Sequence, residues 1–210
     1  VMYIDTPRTL FYANNNATFT LSQSFESIMA EFVDIGDYDN NGFMDVILSG
    51  ESCGIILFRN INASFEQIPL NTGSTHPSTN RAIFGDFDND GDFDIIASGT
   101  FLLNYNEGWA PKIRYFSNTN GSFNEVQIGL TGMSAGSIHC FDYDMDGDLD
   151  CFIINNSPLP FTTVNAGNMR DKDVKDWTGD EKIKDGGNHL FKNENGFYKE
   201  VTREAGLHSG

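Results

Sequence analysis

Three short loops place carboxylates at alternate positions, a pattern suited to binding a hard metal ion. Loop 1 reads DYDNNGFMD (37–45), loop 2 reads DFDNDGDFD (86–94) and loop 3 reads DYDMDGDLD (142–150), so all three fit D-x-D-x-[DN]-G-x-x-D. Carboxylates this close repel one another, so either the loops are solvated and disordered or a cation holds them together. Apolar residues flank each loop, which disordered acidic tracts lack. The pattern therefore favours a folded metal-binding loop.

Calcium chemistry explains the spacing. Ca²⁺ takes about six to eight oxygens at about 2.3–2.6 Å, supplied here by side chains at positions one, three, five and nine and by a backbone carbonyl at position seven. The glycine at position six permits the sharp turn. Mg²⁺ prefers fewer carboxylates and more waters, and zinc favours histidine or cysteine. The ligands predicted for three calcium sites are Asp37, Asp39, Asn41, the carbonyl of Phe43 and Asp45; Asp86, Asp88, Asp90, the carbonyl of Asp92 and Asp94; and Asp142, Asp144, Asp146, the carbonyl of Asp148 and Asp150.

The loops are not EF-hands. An EF-hand needs a glutamate at position twelve and a helix on each side, whereas position twelve is Leu48, Ala97 or Ile153. The flanking segments are rich in β-branched and aromatic residues, which is typical of strands. Each loop is therefore predicted to connect two β-strands.

A second motif alternates with the acidic loops. It reads LFYANNNATF (10–19), ILFRNINASF (56–65), RYFSNTNGSF (114–123) and HLFKNENGFY (189–198). An apolar strand leads to an Asn-rich turn and then to an aromatic residue, which predicts a β-hairpin. One repeat unit of about 50 residues thus contains four strands, the content of one propeller blade. The asparagines that align in the motif are Asn14, Asn60, Asn118 and Asn193.

Two of the units resemble a known repeat family. IGDYDNNGFMDVILSG (35–50) and FGDFDNDGDFDIIASG (84–99) resemble the calcium motif of FG-GAP repeats, also called VCBS repeats, of which integrin α-subunit propellers are members. The third copy departs from the pattern, since Phe141 stands where the others have Gly36 and Gly85, and a change of strand geometry is expected there. The resemblance implies an exported or surface-attached β-propeller, often with adhesive or glycan-related roles.

The third unit carries a further resemblance. INNSPLPF (154–161) and GGNHLFKNENGFYKEVTREAGL (186–207) look like segments of bacterial secreted VCBS proteins associated with the ASPIC/UnbV group.

The predicted fold is all-β, a β-propeller of four-stranded antiparallel blades with about three and a half blades present. Closed propellers typically have about four to eight blades, so we expect a piece of a longer propeller, a shorter closed propeller, or an assembly with blades from another chain. The predicted divisions are the end of a preceding blade (1–30), unit one (31–80), unit two (81–135) and unit three (136–210) with an inserted loop (157–187).

The net charge and the predicted calcium sites limit which partners and which cellular location are plausible. The formal net charge is −17, and three calcium ions would leave about −11, which argues against nucleic acid and anionic membrane surfaces as partners. No run of about 20 apolar residues is present, so no direct membrane insertion is expected. Related loops in extracellular modules bind calcium at about 10⁻⁴–10⁻³ M, too weakly for cytosolic calcium. An extracellular or cell-surface location is therefore predicted.

Ligand binding is expected where the units differ in length. Unit two has extra residues around 102–112, with Tyr105 and Trp109, and unit three has the insertion, with Phe161 and Trp177. Long loops on a rigid scaffold are common binding sites, and these aromatics either contact a protein or glycan or pack over the blade surface.

Two further sets of residues have alternative interpretations. Asn-x-Ser/Thr sequons are glycan sites in a secreted eukaryotic protein or reflect turn chemistry alone. Cys140 and Cys151 flank loop 3 and either pair or serve as small buried hydrophobes, the interpretation we favour. The sequons lie at Asn16, Asn62, Asn120 and Asn155.

Two classes of function remain. In the first, the chain is a calcium-stabilised binding, adhesion or structural module; in the second, it is part of a secreted carbohydrate-active enzyme. No Ser/His/Asp set is visible, and the histidines follow no spacing rule. A non-enzymatic role is therefore predicted. An enzyme would need a cluster of Arg, Lys, Tyr or His at the central face of the propeller, which only a structure would show. The scattered histidines are His76, His139, His189 and His208.

Overall fold

Antiparallel strands joined by turns make up the described part of the chain. The computed structural model describes residues 7–50, 52–70, 78–104, 108–130, 135–155 and 188–207, and no helix occurs among them. The strands are β1 (Arg8–Asn15), β2 (Thr18–Glu26), β3 (Phe32–Gly36), β4 (Asp45–Gly50), β5 (Gly54–Ile61), β6 (Ser64–Ile68), β7 (Ser78–Gly85), β8 (Asp94–Asn104), β9 (Gly108–Thr119), β10 (Ser122–Val126), β11 (Ala135–Phe141), β12 (Asp150–Asn155), β13 (His189–Asn193) and β14 (Tyr198–Glu200).

The strands form three four-stranded sheets and one two-stranded sheet, each with neighbouring strands consecutive in the chain. We call β3–β6 blade 1, β7–β10 blade 2 and β11–β14 blade 3, and we call the β1–β2 pair the half-blade. Each acidic loop joins the first and second strands of a blade, and each Asn-rich turn joins the third and fourth. The predicted all-β class with four-stranded antiparallel blades is confirmed, and the described residues form no closed ring.

The hairpin turns follow from the backbone preferences of asparagine and glycine. Asn62 and Ala63 both have positive φ (53° and 65°), as do Asn120 and Gly121 (52° and 82°). Two consecutive left-handed residues match the right-handed twist of the flanking strands. The Asn-rich motif therefore folds as predicted.

Apolar clusters fill the spaces between neighbouring sheets, because successive side chains of a strand point to opposite faces. Val46 and Leu48 of β4 pack with Phe58 in a cluster that includes Phe11 and Phe25 of the half-blade. Their neighbour Ile47 instead joins a cluster shared with blade 2. A third cluster joins blades 2 and 3. β4 is consequently buried along its whole length.

The departure at Phe141 does not change the strand geometry, contrary to the expectation from sequence. Phe141 pairs with Asp150 in the register that pairs Gly36 with Asp45. The glycine is needed for space in blade 1, since a Cβ there would lie 2.5 Å from the Phe93 ring of blade 2. Phe141, in contrast, is 47% exposed.

The extra residues of unit two extend a hairpin rather than forming a long loop. β8 and β9 continue in register to the pairs Leu102↔Trp109 and Asn104↔Gly108. Trp109 therefore lies on a strand, while Tyr105 lies outside the described residues. Phe161, Trp177 and the 157–187 insertion also lie outside them, so their predicted role in binding stays a prediction.

Buried asparagines connect one blade to the next. Asn118 of blade 2 donates through Nδ2 to the Tyr38 carbonyl of loop 1 (2.7 Å) and to the Phe93 carbonyl of loop 2 (2.9 Å). Asn193 of blade 3 donates in the same way to the Phe87 carbonyl of loop 2 (2.8 Å). Both side chains are almost fully buried, and the bonds to the Tyr38 and Phe87 carbonyls are buried as well.

We expect Asn118→Ala to lower the free energy of unfolding by about 2–4 kcal/mol, because it leaves the buried Tyr38 carbonyl and the part-buried Phe93 carbonyl without their donor, and a fully buried unpaired group costs about 1–3 kcal/mol. The matched control is Asn14→Ala, at the same turn of the half-blade. Asn14 is exposed and accepts one hydrogen bond, from the Ala17 N–H, so about 1 kcal/mol or less is expected. Urea unfolding in the presence of calcium measures both free energies. Equal losses of unfolding free energy for Asn118→Ala and Asn14→Ala would contradict the expected role of Asn118.

Candidate metal centres

The acidic loops share a backbone with two left-handed residues. Position four is Asn40, Asn89 or Met145, with φ of 54°, 59° and 63°. The glycine at position six has φ of 87°, 92° and 96° in loops 1, 2 and 3. A Cβ added at these glycines would meet nothing within 4 Å. The glycine is thus required by the backbone angle and not by crowding.

The first aspartate of each loop organises that loop. Asp37 accepts the N–H groups of Asn41 (3.0 Å) and Gly42 (2.8 Å) on its two oxygens. Asp86 and Asp142 make the equivalent pairs of bonds, at 3.1 Å each. The residue at position five then accepts the N–H of position seven in all three loops. These bonds hold the carboxylates toward the inside of the loop.

Each loop brings three carboxylates to one point. One oxygen from each member of a group lies within 4.8 Å of the others. Hard oxygen donors at this spacing fit a calcium ion, which needs several carboxylates around one centre. Positions one and three are members of the group in every loop, whereas Asp94 and Asp150 do not join the groups of loops 2 and 3; that these residues bind calcium stays a prediction. The groups are Asp37, Asp39 and Asp45; Asp86, Asp88 and Asp90; and Asp142, Asp144 and Asp146.

The ninth aspartate has a structural role that the sequence analysis missed. Asp94 is fully buried, and it accepts the N–H of Phe87 (3.1 Å), the N–H of Asn118 (2.8 Å) and the Tyr115 hydroxyl (2.8 Å). Asp45 and Asp150 make the same two backbone contacts, to position two of the loop and to the hairpin asparagine. Position nine therefore ties the loop to the third strand of its own blade.

Burial governs the ionisation of this carboxyl group. Desolvation raises the pKa of Asp94 to about 6, although the two backbone N–H groups and the Tyr115 hydroxyl act in the opposite direction. Desolvation also raises the pKa values of Asp45 and Asp150. A cation near the loop would favour the ionised form.

Two loops contain a cationic side chain from the neighbouring strand. Arg59 Nε lies 2.5 Å from Asp39 Oδ2 in loop 1. Lys192 Nζ contacts Asp144 and lies 2.8 Å from Asp146 Oδ2 in loop 3, and hydrogen bonds to these carboxylates raise the pKa of Lys192. The equivalent residue in blade 2 is Ser117, and no salt bridge to loop 2 occurs among the described residues. The sequence shows this difference, since the motif reads FRN in blade 1 and FKN in blade 3 but FSN in blade 2.

The loops also bind one another. Asn40 donates to Asp92 Oδ1 (2.7 Å), and Asn89 donates to Asp148 Oδ1 (2.6 Å). Position four of one loop thus contacts position seven of the next. In loops 2 and 3 the side chain at position seven is thus engaged between blades, and the carbonyl at position seven stays a predicted metal ligand.

The predicted glycosylation sites and the two cysteines beside loop 3 lie at turns and in strands. Asn16, Asn62 and Asn120 are exposed at hairpin turns with φ between 50° and 53°, so turn chemistry accounts for their shared position. Asn155 ends β12. Their glycosylation stays a prediction. Cys140 and Cys151 are cross-strand neighbours and free thiols; Cys151 is buried and Cys140 packs against the same cluster.

Comparison with known proteins agrees with the resemblance of the loops. Residues 37–97 match the family model described as an FG-GAP-like repeat, a segment that includes loops 1 and 2. No curated protein matches the chain. FG-GAP repeats are generally extracellular binding or adhesion modules and are typically not catalytic. The ASPIC/UnbV resemblance stays a prediction.

Among the described residues, no helix has the length and apolar character that a membrane span requires.

We expect the carboxyl ¹³C resonance of Asp94 to titrate near pH 6 in the metal-free protein. The folded pKa of about 6 lies above the unfolded value of about 3.9. The group therefore contributes stability below about pH 4, and this contribution is lost as the pH rises through about 6. Calcium should move the transition to lower pH. A midpoint at or below pH 4 without metal would contradict the expected desolvation.

Proposed function

We propose that this chain is a calcium-stabilised propeller module, outside the cell or at its surface, that binds a protein or glycan partner. The observation that carries the proposal is the convergence of three carboxylates within 4.8 Å in each of three equivalent loops. The FG-GAP-like match over two of those loops supports the extracellular setting.

The electrostatics of the loops support calcium as a structural ion. Thirteen of the 30 acidic residues lie in the three loops, where like charges repel at close range. A bound divalent cation would supply the opposing charge, held by the grouped carboxylates at positions one, three and five or nine. At millimolar calcium, a site with a Kd of about 0.1 mM contributes about 1.4 kcal/mol by mass action. Three such sites would be a substantial part of the stability of a domain.

Carbohydrate-active catalysis is the less supported function. His139 Nε2 lies 3.2 Å from Ser137 Oγ, but no carboxylate contacts His139 among the described residues, so the pair lacks the third group that orients a catalytic histidine. Turnover of acidic polysaccharides by the isolated chain would overturn the non-catalytic proposal.

Calcium is expected to raise the melting temperature and to bind in three copies per chain, whereas magnesium at the same concentration should do neither. Asp88→Asn should lower the count to two and reduce the calcium-dependent increase in melting temperature. In chelator, the variant should melt no lower than the parent, because the substitution removes one repelling charge. Metal counting and thermal unfolding measure both effects.

The matched control for that experiment is Glu66→Gln, which removes an exposed carboxylate outside the loops. It should keep three ions and the full calcium response. The calcium proposal fails if the parent protein binds no calcium, or if Asp88→Asn and Glu66→Gln respond alike.

The cationic side chains in loops 1 and 3 predict that the three sites differ in calcium affinity. Lys192 stands against two carboxylates of loop 3, so it competes with calcium for them. Lys192→Met should tighten calcium binding at loop 3 several-fold, with loops 1 and 2 unchanged. Lys199→Met, an exposed lysine on the adjacent strand β14, is the matched control and should change no site. Calorimetric titration resolves the sites, and weaker binding by Lys192→Met would show that the lysine supports the loop instead.

A further inference from the structure

A cavity of about 190 Å³ lies between the first strands of the three blades. Each blade contributes a charged or ionisable side chain to it, namely Asp34 from β3, Arg81 from β7 and His139 from β11, and blade 3 also contributes the Cys140 thiol. Ile83, Phe84 and Ile138 supply apolar lining beneath these groups. A concave apolar surface with a few convergent polar groups is the usual form of a small-ligand site.

Arg81 differs from three other arginines of the described residues. Arg8, Arg59 and Arg114 each pair with a carboxylate, from Glu26, Asp39 and Glu125 respectively. Arg81 is half-buried, its guanidinium lies 5.8 Å from the centre of the Phe32 ring, and no salt bridge joins it to an acidic group within the described ranges. A guanidinium fork held against an aromatic face is well suited to a planar carboxylate, which it can bind through two parallel hydrogen bonds.

The two other polar groups each have a hydrogen-bonding atom with no partner among the described residues. Asp34 accepts the Phe84 N–H through Oδ2 (2.8 Å), which leaves Oδ1 to accept a hydroxyl hydrogen. His139 contacts Ser137 through Nε2, which leaves Nδ1 for a ligand. Burial and the nearby Arg81 charge lower the pKa of His139, which favours the uncharged imidazole, the form that can both donate a hydrogen bond to a hydroxyl and accept one from it.

We propose that this cavity binds one uronic acid residue of an acidic glycan. Arg81 holds the carboxylate, Asp34 and His139 bind ring hydroxyls, and the apolar lining contacts the C–H face of the sugar. The volume is below the roughly 300–1,000 Å³ of drug-sized sites, which restricts the occupant to about one sugar residue. This inference rests on the proposed function as a binding module and names the chemistry of its partner.

The test uses a matched pair of monosaccharides on the calcium-loaded full chain. Methyl β-glucuronoside carries the carboxylate, and methyl β-glucoside has the same ring with a hydroxymethyl group instead. Binding followed by NMR titration should be at least tenfold tighter for the glucuronoside. Arg81→Met should remove at least tenfold of the glucuronoside affinity, and Arg81→Lys should lose part of it, since lysine keeps the charge without the fork. Arg203→Met, an exposed arginine after β14, should stay within twofold of the parent.

Several results would overturn the inference. One is equal affinity of the parent for both sugars, and another is unchanged glucuronoside binding by Arg81→Met or Arg81→Lys. Calcium-dependent melting of each variant verifies its fold; if Arg81→Met does not fold, Arg81→Lys and Asp34→Asn carry the test. A parent protein that binds three calcium ions but neither sugar would refute the sugar site alone, whereas one that binds no calcium would refute the proposed function itself.

Discussion

The structure depends on a buried carboxylate at the ninth position of each acidic loop. In blade 2, Asp94 accepts hydrogen bonds from the start of its loop and from Asn118 at the end of the third strand. The same asparagine donates to the Tyr38 carbonyl of the preceding blade. One chain of hydrogen bonds thus fixes the loop to its sheet and the sheet to its neighbour, and leaving any member unpaired in the interior would be costly.

The clustered carboxylates of each loop repel one another, and the blades differ in whether a nearby cation offsets that repulsion. Loops 1 and 3 have an arginine or lysine beside their carboxylates, while loop 2 has five aspartates and no salt bridge among the described residues. The three loops therefore share the same backbone conformation but differ in the charges around their carboxylates. If calcium binds, loop 2 offers it the most uncompensated carboxylates, and its links to Asn40 and Asp148 connect it to both other loops.

The loops also shape the space between the first strands. Phe87 of loop 2 and Leu149 of loop 3 line the same cavity as Asp34, Arg81 and His139. Order in the loops is consequently linked to the shape of the cavity, since the same short segments supply ligand-type carboxylates on one side and apolar walls on the other. A rigid packed interior transmits such constraints over short distances.

Sequence alone determined the repeat unit, because its causes are local. Alternating carboxylates, a glycine at φ near +90° and an Asn-rich turn act within a few residues, so the strand–loop–strand pattern and the hairpins could be read directly. Tertiary structure decided the rest. The Asn118–Tyr38 and Asn193–Phe87 bonds span 80 and 106 residues, and Asp34, Arg81 and His139 meet only because three first strands lie side by side. Contacts between distant segments depend on how sheets stack, which the spacing of residues along the chain does not encode.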